Sequence, residues 1–369
     1  MPACAAWIPS FVARASPCPV GPAPRDVETT TKPVDEAFLC PASPCPACSM
    51  GPGQGDAGSR VFRDYRASHN KSAGRFEMVE TTNMDKNRIS HCLDGITVIN
   101  LAINLPGPLA AFRLGGLGAK IIKVEPPDGD PFARACPDWY KELVCDQQVI
   151  RLDLKDTRQR AQLDGLLEGC DLLVTASRPA ALDRLNLSWQ VLHAQYPELC
   201  QVAIFGYPPP EEDRPGHDLV YQAVAGLVMP PNLPVTLLAD VAGAERVVSH
   251  GLALLLARAR GNGGGYAQVS LFEAAEAFAA PSRYRLTNPG GILGGGFPGY
   301  DLYRTKQGWI AVAALEPRFW ERLVAELGLN SLEVQRQSLA DVFGDQTAEY
   351  WEAWALELDL PIVEVRYHP

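Results

Sequence analysis

The sequence lacks any apolar run near the roughly 18 residues that a membrane-crossing helix needs. It also lacks a basic block. Its 33 Lys and Arg face 43 Asp and Glu, a formal net charge of −10, so neither membrane nor nucleic acid is an expected partner. The acidity leaves a small anionic ligand open, because a local cluster can override the global sign. No GxGxxG follows the first strand pattern. Gly115-Gly116-Leu117-Gly118 closes a helix instead of opening one, which argues against a standard dinucleotide site. Cysteine pairs with metal-ligand spacing are scarce too. Cys45-Pro-Ala-Cys48 is a single CxxC with no second pair and no suitably spaced histidine, so no metal site is expected. The cysteines at 92, 136, 145, 170 and 200 read as reduced thiols of a cytoplasmic protein.

What is present divides unevenly. Eleven of the 32 prolines fall in the first 52 residues, with no sustained apolar period among them. Such composition cannot bury enough surface to offset its ordering entropy. Residues 1–90 are therefore expected to be a disordered, functionally silent extension, with Met78 or Met84 as an alternative start. From Leu93 the pattern changes. Apolar strand patterns at residues 96–101, 119–125, 149–154, 171–175 and 201–205 alternate with helical patterns at 109–117, 157–168 and 189–196. Strands separated by helices predict a parallel sheet covered on both faces, with ligands at the carboxyl ends of its strands. This α/β large domain is placed at residues 91–285. After the glycine-rich stretch 288–296, which reads equally as a linker or a lid, two strand patterns and two helices predict a smaller α+β domain at 286–369.

Two candidate proton-transfer groups stand in one stretch, His217 in Gly216-His217-Asp218 and Asp240 in Leu237-Leu238-Ala239-Asp240. An amphipathic run follows Asp240, so the residue is expected at the N-cap of a helix. Unpaired N–H groups there would favour negative charge, including charge that develops in a transition state. Asp240 could equally be a plain cap and His217 a plain loop histidine.

The order of motifs resembles a known family. VINLA, PGP, LGAKIIKVEPPDGDP, LDLK, SRP, GHDL, LLAD, YRT and EP resemble the class III CoA-transferase (CaiB/BaiF) superfamily over roughly residues 93–350. GHD with LLAD and a later LEP is similar to the α-methylacyl-CoA racemase branch. The resemblance implies a Rossmann-like large domain, a small domain, and an interlocked homodimer acting on acyl-CoA or CoA. Coenzyme A would enter as part of the substrate, with no separate cofactor. Carried over by position, His217 and Asp240 become an acid/base pair on opposite faces of the substrate α-carbon. Glu316 becomes a carboxylate reaching the histidine from the partner subunit, and Lys123 and Arg178 become contacts to the CoA phosphates. In the transferase branch Asp240 would instead be a nucleophile carrying an aspartyl intermediate.

The sequence also departs from the family pattern. The position of a family Asn-Arg-Gly-Lys reads Val144-Cys145-Asp146-Gln147, without positive charge. The common ENFRPG reads Thr175-Ala176-Ser177-Arg178-Pro179-Ala180, the racemase asparagine four before the catalytic aspartate is Thr236, and a C-terminal return segment is expected to be missing. Three functional expectations follow: racemase-like α-proton transfer, CoA transfer between carboxylic acids, and a non-catalytic CoA-binding or dimerisation subunit.

Overall fold

The computed structural model describes residues 91–330 and 334–366. The extension at 1–90, with its CxxC, lies outside the described residues. Within them, apolar stretches of four to six residues become strands because both faces of the sheet are covered. The strands β1 (Thr97–Asn100), β2 (Lys120–Glu125), β3 (Gln148–Arg151), β4 (Leu172–Thr175), β5 (Cys200–Phe205) and β6 (Tyr266–Ser270) are all parallel, in the order β3-β2-β1-β4-β5-β6. Each strand presents alternate side chains to opposite faces. Val98, Ile121, Leu172 and Val202 join one buried cluster, and Ile99, Ile122, Val124 and Leu173 join another.

Helices supply the other half of each cluster. On the first face lie α1 (Pro106–Gly116), whose Pro106 sits in its first turn, then α2 (Pro131–Ala135) and α3 (Pro137–Leu143). The second face is covered by α4 (Thr157–Leu167), α5 (Pro179–Arg184) and α6 (Trp189–Gln195), through Leu163, Leu167, Leu182 and Leu192. The chain then forms α7 (Asp218–Val224), the 20-residue α8 (Leu238–Ala257) and α9 (Leu271–Phe278), which pack on the first face through Tyr221, Val247, Leu255 and Leu271. The helix α10 (Ala280–Arg283) follows. The sheet order reverses direction between β1 and β4, so the connections leaving those strands diverge and open a crevice at their carboxyl ends.

A second sheet is antiparallel: β7 (Tyr300–Arg304), β8 (Trp309–Ala313) and β9 (Ile362–Glu364), in the order β7-β8-β9. Gly308, at φ +88°, turns the chain between β7 and β8, a conformation that glycine adopts without strain. The helices α11 (Pro317–Glu326), α12 (Arg336–Phe343) and α13 (Ala348–Glu357) bury Leu323, Phe343 and Trp351 against Tyr303, Ile310 and Ile362. This sheet therefore has its own hydrophobic cluster. A division into domains near residue 286 is a proposal that the separate clusters support.

Candidate active site

The crevice at the switch point holds a cavity of about 190 Å³. Its walls come from the loops after β1 (Ile103, Asn104) and β4 (Ser177, Arg178), from the end of β5 (Phe205) and Gly206 beyond it, and from His217, Tyr221 and Asp240. Two of the predicted groups, His217 and Asp240, thus reach one space from different helices. A neighbouring cleft of about 490 Å³ shares Ile103, Ala176 and Ser177 with it and extends along the ends of β2 and β3 to Lys155.

His217 is the residue before the first turn of α7. It has extended backbone (φ −137°, ψ 169°) and makes no capping hydrogen bond through its side chain. The imidazole is therefore not engaged by its own helix. Gly216 precedes it for a steric reason, since a Cβ there would stand 2.6 Å from the Tyr221 ring. Tyr221 is almost fully buried and lies edge-on to Tyr207, with ring centres 5.2 Å apart.

Asp240 is not the N-cap. The helix α8 starts at Leu238 with Leu237 as its cap, which puts Asp240 third in the helix. This corrects the expectation of free N–H groups beyond Asp240, because the Val241 N–H already donates to the Leu237 carbonyl at 3.0 Å. Asp240's own N–H donates to Asp218 Oδ1 at 3.1 Å. The carboxylate of Asp240 accepts no hydrogen bond among the described residues. Burial, and then the nearby negative charge of Asp218, push its pKa up from 3.8 to about 7. A carboxyl in that range can both give and take a proton near neutrality.

Arg178 lies at the cavity wall as the cap residue of α5, exposed and without an ion pair among the described residues. Lys123 goes elsewhere, contrary to its expected place at the CoA phosphates. The strand β2 is buried on both faces, so it has no exposed side for Lys123 to occupy. Its ammonium is wholly buried, 3.0 Å from Asp130 Oδ2, and donates to the Ala102 carbonyl at 2.6 Å. Burial pulls its pKa down against the opposing pull of Asp130. Asp130 Oδ1 in turn accepts from the N–H groups of Asn104 and Phe132, at 2.9 and 3.0 Å. Lys123 therefore supports the loop that forms the cavity wall. Glu316 caps α11 at the surface and does not line the cavity, so one chain alone does not bring it to His217.

Sequence reasoning passed over Asp218 and Gln222, both buried. Gln222 donates to Asp218 Oδ2 and, at 2.9 Å, to the Thr236 carbonyl. Their spacing of four on one short helix was the available signal. Lys155 was visible only as part of LDLK. Among the described residues, no group of three or more His, Cys, Asp or Glu is arranged to hold a metal.

Comparison with known proteins follows the same lines. Human α-methylacyl-CoA racemase is 29% identical over 288 residues, covering 70% of this chain and 74% of that protein. A probable fatty acyl-CoA transferase of Mycobacterium tuberculosis is 28% identical, covering 68% and 72%. The crystal structure of a hypothetical protein from the same organism superposes with a TM-score of 0.67 at 24% identity, over 75% of this chain and 86% of that one. That likeness speaks for the fold. The sequence pattern of CoA-transferase family III matches residues 93–367, so the chain belongs to that family, whose members include racemases and CoA-transferases and are enzymes.

Proposed function

We propose that the protein moves the α-proton of an acyl-CoA thioester, in the manner of an α-methylacyl-CoA racemase. The observation that carries this reading is the convergence of His217 and Asp240 on one cavity. The α-proton of a thioester is weakly acidic, so the reaction needs a base on one face and an acid on the other. Histidine is the side chain most often used for such transfers, and burial with the charge of Asp218 raises Asp240's pKa to about 7. One group takes the proton as the enolate forms, and the other returns a proton to the opposite face. Reversing the two roles converts the other enantiomer.

Arg178 and Lys155, on the walls of the adjoining cavities, are the cations offered to the phosphates of CoA. Glu316 is proposed to act from a second copy of the chain, in a homodimer.

A second reading has its own support. Relatives named as CoA-transferases raise the possibility that Asp240 attacks the thioester. Its pKa of about 7 does not decide between the readings, because the carboxylate form needed for attack is also present near neutrality. The two readings separate on incubation of a 2-methylacyl-CoA in D2O. Deuterium entering the α-position supports proton transfer. Its absence, with CoA passing to a free carboxylic acid, would refute it.

A further inference from the structure

Asp218 is a buried carboxylate with no Lys or Arg paired to it among the described residues. Each oxygen has a definite task. Oδ1 accepts the N–H of Asp240 at 3.1 Å, 22 residues further along the chain, and Oδ2 accepts the side-chain amide of Gln222. Gln222, itself 2% exposed, also donates to the Thr236 carbonyl at 2.9 Å. The chain of contacts Thr236–Gln222–Asp218–Asp240 therefore ties α7 to the entry of α8. The residue before Asp218 is held separately by the first turn of α7, where the Val220 and Tyr221 N–H groups both donate to the His217 carbonyl, at 2.8 and 3.3 Å.

A cap for a seven-residue helix does not require this arrangement. The cap position belongs to His217, and burying a carboxylate is costly unless its oxygens are hydrogen-bonded. The oxygens of Asp218 are spent instead on another helix and on a glutamine that reaches a third segment.

We propose that Asp218, held by Gln222, is the positioning residue of the site: it sets the separation of His217 and Asp240 and keeps a negative charge behind Asp240. The charged and titratable groups closest in effect to Asp240 are Asp218 and Tyr221 on α7; His217, Arg178, Glu212 and Arg214 line the same cavity. After burial, the charge of Asp218 is what raises Asp240's pKa. The proposal rests on Asp240 being the acid/base group, but its test does not.

The test is a 13C NMR titration of aspartate-labelled full-length protein, with the Asp240 signal assigned by its loss in Asp240→Asn. In the parent, Asp240 titrates at about 7. In Asp218→Asn, which keeps an acceptor oxygen for the Asp240 N–H, the midpoint falls below the parent's, while burial, the larger cause, keeps it above an ordinary carboxylate. An unchanged midpoint overturns the proposal. Gln222→Met provides a second arm that keeps the carboxylate and removes its amide partner. Here the Asp240 N–H exchanges with solvent at least about tenfold faster, as local opening becomes easier, and unchanged protection overturns the proposal. In both variants the rate of α-proton exchange falls about ten- to hundredfold, the scale of a small misplacement, with KM nearly constant. A shifted Asp240 midpoint with an unchanged rate would support the clasp and remove Asp240 from the chemistry.

Discussion

Two charged pairs, one wholly buried and one with the half-buried Asp240, flank the crevice, and they are built on opposite principles. Lys123 and Asp130 pair opposite charges with no exposed side-chain surface, and Asp130's other oxygen holds the backbone of Asn104, which sits at φ +64°. Asp218 and Asp240 bring like charges together, and burial with repulsion holds Asp240's pKa at about 7. The first pair is matched and keeps a wall of the cavity in place. The second leaves a proton easy to move. Charge complementarity marks the scaffold, and its absence accompanies the residue proposed to move a proton.

The comparison breaks most sharply on the catalytic side. His217→Ala is expected to lower α-proton exchange by about 100- to 10,000-fold, and Asp240→Asn to abolish it, because an amide is neither acid nor base. If His217→Ala retains the parent rate, the histidine is a loop residue. On the scaffold side, Asp130→Asn leaves the Lys123 ammonium buried without its carboxylate. The expected loss is about 3–5 kcal/mol in a denaturant melt, the usual result of removing one partner of a buried pair. A loss below about 1 kcal/mol would mean that Lys123 finds water and that the wall is not held as described.

The like-charged pair also makes a stability prediction whose sign is fixed. Folding raises the pKa of Asp240, so the folded chain keeps a proton that the unfolded chain has released. The native state is therefore progressively disfavoured as pH rises from about 4 to about 7, and the penalty is constant above that. Asp240→Asn removes the titration, so the variant should gain on the parent over this window. The upper limit, from 3.8 to about 7, is on the order of 4 kcal/mol, reduced by the carboxyl's remaining exposure. Denaturant midpoints at pH 4 and pH 8 measure it, and a gap between variant and parent that does not change with pH would contradict the assignment.

Gly216→Ala should have a smaller effect. Its Cβ would press on the Tyr221 ring, with an overpacking cost of about 1–3 kcal/mol seen as a lower melting temperature. A variant as stable as the parent would show that the ring yields freely.

The sheet was legible because strands buried on two faces leave short unbroken apolar runs between helical patterns, and β1, β2, β4 and β5 fall within a residue or so of their expected bounds. Lys123 was placed at the CoA phosphates by position in the resemblance, and the double burial of β2 turns it instead onto Asp130. Asp240 read as a cap because aspartate is favoured there. Its helix starts three residues earlier than that reading, at Leu238, and Asp218, far away in sequence, accepts the N–H that a local cap would otherwise serve. No local pattern carries that contact. The helices α2 and α3 were missed although Asp130-Pro131 is a cap followed by an N-terminal proline, and Asp130 does cap α2. Their shortness hid the apolar period. The strand β9 is three residues long and pairs with a partner about 50 positions earlier, beyond the reach of a periodicity reading.

The central claim is that Asp240 handles a proton and forms no bond to the substrate. Intact-protein mass spectrometry after incubation with a 2-methylacyl-CoA, followed by peptide mapping, tests it most directly. The account predicts a protein of unchanged mass at every time point while deuterium accumulates in the substrate. An acyl or CoA adduct mapped to Asp240, with His217→Ala still active, would contradict it and make Asp240 the nucleophile of a CoA-transferase.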